Sequence, residues 1–143
     1  MPDRKKILVV DDEADARKMI CRRLVTNEYQ VYETGNPVEG FELVKKVKPD
    51  LILLDIMMPE LDGLKFYQRL REEAGVNAIP VIFITALSQQ ITMDRRSLEL
   101  IAHGKYGMEL DDNYLVIGKP YEPEDLMVEI RRIFSNGGRV LKR

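Results

Sequence analysis

Short apolar runs alternate along this chain with segments of helical period. Ile7-Leu8-Val9-Val10 reads as a first strand, Lys6 to Val10. Ala16, Ile20 and Leu24 then recur at four-residue spacing, which predicts an amphipathic helix from Ala14 to about Thr26. Gln30 to Thr34 is a shorter second strand. Gly35-Asn36-Pro37 turns the chain and opens a second helix, Asn36 suiting the N-cap and Pro37 the first helical position. That helix runs to about Lys48, with Phe41, Val44 and Val47 inward. Leu51 to Leu54 is continuously apolar, begun by Pro49-Asp50 and stopped by Pro59, and reads as a strand buried on both faces, ending in Asp55.

Asp62 caps a third helix with Leu64, Tyr67 and Leu70 inward, ended by Gly75 and Asn77. Val81 to Ile84 is a fourth buried strand leading to Thr85. Ile91, Leu98 and Ile101 place a fourth helix over Gln89 to Ala102, with a loop from Gly104 to Asn113. Tyr114 to Ile117 is the fifth strand and delivers Lys119-Pro120. Glu122-Pro123-Glu124-Asp125 opens a last helix with the proline and acids that a first turn prefers. Leu126, Ile130, Ile133 and Phe134 form its inner face, and Gly137-Gly138 ends it. Strands alternating with helices imply an α/β fold: a parallel sheet, doubly wound, with right-handed crossovers. No repeat or low-complexity stretch divides it, so residues 5–134 form one domain and 135–143 a short basic tail.

Composition narrows the function. The 143 residues are 45% hydrophobic and 32% charged, as in a globular domain. A net charge of -2 argues against a general nucleic-acid binder. No apolar run approaches the roughly 20 residues of a membrane helix, and Met1 to Lys6 carries no secretory pattern. Cys21 is the only cysteine, which excludes an intramolecular disulfide and a cysteine metal cluster and fits a cytoplasmic protein.

The chemistry gathers at strand ends. Strand one ends in Asp11-Asp12, strand three in Asp55, strand four in Thr85 and strand five in Lys119. In an open parallel sheet, ligands bind outside the carboxyl ends of the strands. If strands one, three, four and five are neighbours, these groups share one cleft. Three clustered carboxylates repel, by up to about 4 kcal/mol per pair at ~4 Å with an effective dielectric near 20. Lys119 offsets part of this, and Mg²⁺ is the usual partner of a few carboxylates plus a substrate phosphate. A carboxylate beside Mg²⁺, a lysine and a hydroxyl is suited to accept a phosphoryl group. Taken alone, Asp11 or Asp12 reads equally well as a cap of the next helix; with Asp55 and Lys119 in place, the shared site is the stronger reading.

Asp11-Asp12, Asp55 with Met57-Met58-Pro59 and Asp62-Gly63, Thr85-Ala86, and Lys119-Pro120 together resemble the receiver domain of two-component response regulators. The likeness covers about Lys5 to Phe134. It implies a flavodoxin-like five-stranded parallel sheet of order 2-1-3-4-5. It implies Asp55 as the phosphorylation site, Mg²⁺ held by Asp12, by Asp11 mostly through water, by Asp55 and by the backbone carbonyl of Met57. Thr85 would be the switch hydroxyl and Lys119 the phosphoryl partner, with a cis Lys119-Pro120 bond. A histidine kinase or histidine phosphotransfer protein would be the donor. A downstream protein would read the surface of helix four, strand five and helix five. Such a domain catalyses only its own phosphotransfer and dephosphorylation, and a stand-alone one contacts neither nucleic acid nor membrane directly.

Departures from the family pattern sit in one region. Thirty-four positions separate Thr85 from Lys119, a longer gap than the family pattern has. The family's switch aromatic falls on Val116, so either Tyr114 substitutes or the switch is absent. Apolar Met57 and Leu87 are expected to shield the phosphoryl group from water. Three other readings compete: an aspartate-nucleophile phosphatase of the haloacid dehalogenase type, a binding module independent of phosphorylation, and a fragment of a DNA-binding regulator. The first would resemble Asp-x-Asp, whereas Met57 stands two after Asp55.

Overall fold

The computed structural model describes residues 4–56, 63–86 and 95–140. In chain order these form β1 (Lys6–Val10), α1 (Ala14–Thr26), β2 (Gln30–Thr34), α2 (Pro37–Val47), β3 (Leu51–Asp55), α3 (Gly63–Glu72), β4 (Val81–Ala86), α4 (Arg95–Tyr106), β5 (Tyr114–Lys119) and α5 (Pro123–Ser135). The strands form one parallel sheet of order β2-β1-β3-β4-β5.

The alternation of side chains along a strand divides the core in two. Leu8, Val10, Ile52, Leu54 and Phe83 pack on one face against Phe41 and Val44 of α2, Phe66, Tyr67 and Leu70 of α3, and Leu98 and Ala102 of α4. Ile7, Val9, Leu51, Leu53, Ile82 and Ile84 pack on the other against Ile20, Cys21 and Leu24 of α1 and Leu126, Ile130 and Ile133 of α5. Both faces of the central strands are therefore dry, which is why their sequences are continuously apolar.

Helix boundaries follow local chemistry. The Asn36 side chain accepts the Val38 and Glu39 N–H groups, with Pro37 at the first helical position of α2. α3 stops at Glu72, earlier than expected, and buried Val76 lies beyond it. α4 differs most from expectation. It continues through Gly104 to Tyr106, and Gly107 ends it in the left-handed region at φ +60. Leu98 and Ala102, four residues apart, face the core, while Ile101 stays 39% exposed. Ile91 lies outside the described residues. After α5 the chain stays docked: the Gly138 N–H reaches the Ile133 carbonyl at 2.9 Å and the Val140 N–H reaches Asn113 Oδ1 at 2.9 Å. Among the described residues, no helix is long and apolar enough to cross a membrane.

The segment before β5 joins α3 in a polar knot at the amino edge of the sheet. Arg71 donates to the carbonyls of Ile79 (2.6 Å) and Asn113 (3.1 Å) and to Asp111 Oδ2 (2.6 Å). The Tyr67 hydroxyl also bonds Asp111, and Asn113 Nδ2 bonds the Ala78 carbonyl at 3.0 Å. Tyr114 bonds Glu99 through its hydroxyl at 2.7 Å, under the Arg95 guanidinium at 4.3 Å from the ring centre.

Candidate functional site

Strand register sets the opposite, carboxyl edge. Val10 pairs with Leu54, Asp55 with Ile84, Thr85 with Gly118 and Ala86 with Lys119. The groups that end β1, β3, β4 and β5 thus come out on adjacent strands. Asp11, Asp12 and Asp55 each offer a carboxylate oxygen, and these oxygens lie within 4.8 Å of one another. Asp11 and Asp55 are buried, at 2% and 7% exposure, while Asp12 faces solvent. Lys119 Nζ sits 3.2 Å from Asp11 Oδ2. Thr85 is fully buried at the end of β4. The Lys119-Pro120 bond is cis, as the resemblance implied.

Asp11 is held from several sides. Its N–H reaches the Thr34 carbonyl at 3.1 Å, and its Oδ1 accepts the Glu13 N–H at 2.9 Å. That second bond ties the site to Glu13, the N-cap of α1, a helix end whose free N–H groups favour negative charge nearby. Gly63, the first residue of α3, meets the end of β3 directly. Its N–H bonds the Ile56 carbonyl at 3.0 Å, and a Cβ there would stand 2.6 Å from the Asp55 carbonyl oxygen. The glycine of Asp62-Gly63 is therefore required by close approach to β3. Asp62, Met57 and Leu87, with the cap, ligand and shielding roles expected of them, lie outside the described residues.

The donor set suits a hard cation. Three clustered carboxylates offer only oxygen, the ligand type of Mg²⁺ and Ca²⁺, and two of them are withdrawn from water. Burial and then the negative charge of Asp11 push the Tyr121 hydroxyl up to about 12. Burial, aided by a hydrogen bond to Glu33, pushes the Cys21 thiol up to about 12, which leaves it protonated and inert.

Tyr114 does not substitute for the switch aromatic. It pairs with Val81 at the start of β5, four residues before Gly118, the partner of Thr85. At about 3.3 Å per residue, that is about 13 Å from the Thr85 level. Val116, the position aligned with the switch, pairs with Phe83 and is half-buried in the core. Sequence reasoning missed Arg17, Glu33 and Tyr121 beside the site. Only proximity in the fold links them to it.

Comparison with known proteins agrees with this geometry. The family model described as "Response regulator receiver domain" matches residues 7–131. The "Probable transcriptional regulator ycf27" of Porphyra purpurea is 36% identical over 138 residues, covering 96% of this chain and 50% of the relative. The phosphate regulon transcriptional regulatory protein PhoB of Escherichia coli is 35% identical over 130 residues, covering 90% and 51%. This chain spans about half the length of these curated relatives. Among solved structures, the signal receiver domain of a signal transduction histidine kinase from Syntrophus aciditrophicus superposes with a TM-score of 0.74 at 26% identity, covering 97% of this chain and 96% of that one. The chemotaxis protein CheY4 of Vibrio cholerae shares the fold, with a TM-score of 0.75 at 24% identity, covering 92% and 99%. With a matching family model over most of its length and the family's acids and lysine gathered at one sheet edge, the chain belongs to the response regulator receiver family.

Proposed function

We propose that this domain is a phosphorylation switch whose acceptor is Asp55. The observation that carries this is the cluster of Asp11, Asp12 and Asp55, oxygens within 4.8 Å, beside Lys119. Asp11, Asp12 and Asp55 would hold Mg²⁺, with the carbonyl of Met57 as the further protein ligand. When bound, that cation supplies positive charge for the oxygens of a transferring phosphoryl group. The donor is a phosphohistidine on a histidine kinase or a phosphotransfer protein. A carboxylate oxygen of Asp55 attacks phosphorus; the phosphorus–oxygen bond forms as the phosphorus–nitrogen bond breaks, and the leaving imidazole takes a proton from water. Lys119 pairs with a phosphoryl oxygen, and the Thr85 hydroxyl bonds another after transfer. The phosphoryl group adds about −1.5 to −2 charges. This charge draws Thr85 and shifts the α4, β5 and α5 surface that a downstream protein reads.

The relatives that are named transcriptional regulators are about twice as long as this chain. Their size favours a second reading, in which this receiver is one half of such a regulator and its output reaches DNA through the other half. The intact mass of the protein isolated from its source distinguishes the two.

Incubation with phosphoramidate and Mg²⁺ tests the acceptor chemistry. One phosphoryl group should be incorporated, EDTA should abolish it, and neutral hydroxylamine should release it as expected of an acyl phosphate. Incorporation that survives EDTA or hydroxylamine contradicts the reading.

A further inference from the structure

Arg17 projects from α1 towards the site without contacting a site carboxylate. Its Nη1 donates to the backbone carbonyl of Asp11 at 2.6 Å, and its Nε donates to Glu33 Oε1 at 3.1 Å. The same Nη1 fills the space over Gly35, where a Cβ would stand only 2.8 Å from it. One half-buried guanidinium therefore joins α1, the end of β1, the end of β2 and the turn into α2.

The Asp11 carbonyl belongs to the peptide plane that leads into Asp12. A peptide unit is rigid, so holding that oxygen fixes the direction in which the chain delivers the Asp12 Cα. The other handles on Asp11 grip different atoms: the Thr34 carbonyl accepts its N–H, and the Glu13 N–H and Lys119 Nζ bond its carboxylate. Without Arg17, the plane can rotate between the two acids while all of those bonds remain.

We propose that Arg17, braced by Glu33 and seated over Gly35, is a positioning residue that sets the Mg²⁺ affinity of the Asp11, Asp12 and Asp55 cluster by fixing the Asp11–Asp12 peptide. The inference rests on reading that cluster as a Mg²⁺ site. Charge alone gives the opposite sign, because a guanidinium near a cation site repels the cation and its removal tightens binding. Positioning requires its removal to weaken binding.

The test is a Mg²⁺ titration followed by the amide signals of Asp11 to Glu13. It compares wild type, Arg17→Met and Gly35→Ala, with urea unfolding of the metal-free proteins in parallel. Gly35→Ala keeps every charge, and its new methyl group meets the end of a flexible side chain. The fold should survive while the guanidinium is displaced. Both variants should bind Mg²⁺ about tenfold more weakly than wild type, the scale seen for groups that orient metal ligands. Glu33→Gln should weaken it less. If wild type binds Mg²⁺ and the variants bind it as tightly or more tightly, the proposal fails, whatever their metal-free stability. If wild type itself binds no Mg²⁺, the reading beneath the proposal fails with it.

Discussion

At the carboxyl edge of the sheet, Asp11, Asp12 and Asp55 crowd their oxygens within 4.8 Å, and Lys119 stands 3.2 Å from one of them. At the amino edge, Arg71 and Asp111 form a 2.6 Å ion pair, Tyr67 shares Asp111, and Arg71 also donates to the backbone carbonyls of Asn77, Ile79 and Asn113. Both edges gather polar side chains, buried as Asp11, Asp55 and Thr85 at the carboxyl edge and half-buried or exposed as Arg71, Asn113 and Asp111 at the amino edge. Among the described residues, no buried side-chain nitrogen or oxygen lacks a hydrogen-bond partner. The edges differ in the sign of their charges. The amino edge balances cation against anion and strengthens the fold. The carboxyl edge sets three carboxylates against the single Lys119 ammonium, an excess of negative charge that opposes folding by Coulomb repulsion and that a bound cation would relieve. Crowded like charge, more than polarity itself, separates a binding site from a structural knot.

Substitutions should respect that contrast. The largest effect is expected at the amino edge. Tyr67 is 1% exposed and packs against Phe83 and Tyr114, so Tyr67→Ala should cost about 4 kcal/mol in urea unfolding. Its folded fraction should still accept a phosphoryl group at the wild-type rate; a slowed rate would show that the two edges are coupled.

Gly63→Ala comes next and acts at the other edge. Its methyl group would press on the Asp55 backbone at 2.6 Å, atoms that cannot swing aside as a side chain can. The expected cost is about 2 kcal/mol, together with slower labelling by acetyl phosphate if Asp55 is the acceptor, because the end of β3 must move. Asp12→Asn should do the reverse for stability. Removing one of three like charges should raise metal-free stability by about 1 kcal/mol while weakening Mg²⁺ binding by tenfold or more. A variant that is both less stable without metal and unchanged in Mg²⁺ affinity would assign Asp12 to the fold.

The smallest effect at neutral pH is expected at Cys21. Its ordinary value of 9.0 is raised to about 12 in the folded chain. Below pH 9.0 the thiol is protonated in both states and contributes its full share. As pH rises through that window the unfolded chain alone releases the proton, so this share of stability is lost. Cys21→Ala should therefore lose less stability than wild type between pH 9 and 12, and native Cys21 should resist iodoacetamide at pH 9.

The sequence was most legible where a residue needs the same environment along its whole element. The dry strands announce themselves because both faces are covered, and their polar ends then stand out as site residues. Asp11, Asp12, Asp55 and Lys119 meet as expected for that reason. The α4 region was harder to read. Among the described residues its buried core contacts are Leu98 and Ala102, with Tyr106 packed at the margin; alanine carries little apolar signal, and Ile101, which shares the helical spacing with Leu98, stays 39% exposed. The knot around Asp111 was invisible because its members come from α3, the turn before β4 and the loop before β5, with no local spacing to join them. Arg17 and Glu33 escaped notice for the same reason. Tyr114 drew attention by its type, and only the strand register shows that it belongs to the wrong edge.

The central claim is that Asp55 accepts a phosphoryl group at an acidic cation site. The most direct test is the intact mass of the protein after incubation with acetyl phosphate and Mg²⁺, for wild type and Asp55→Asn side by side. The account predicts one added phosphoryl group on wild type and none on the variant. Equal addition to both would place the acceptor elsewhere, and no addition to wild type that demonstrably binds Mg²⁺ would contradict the account outright.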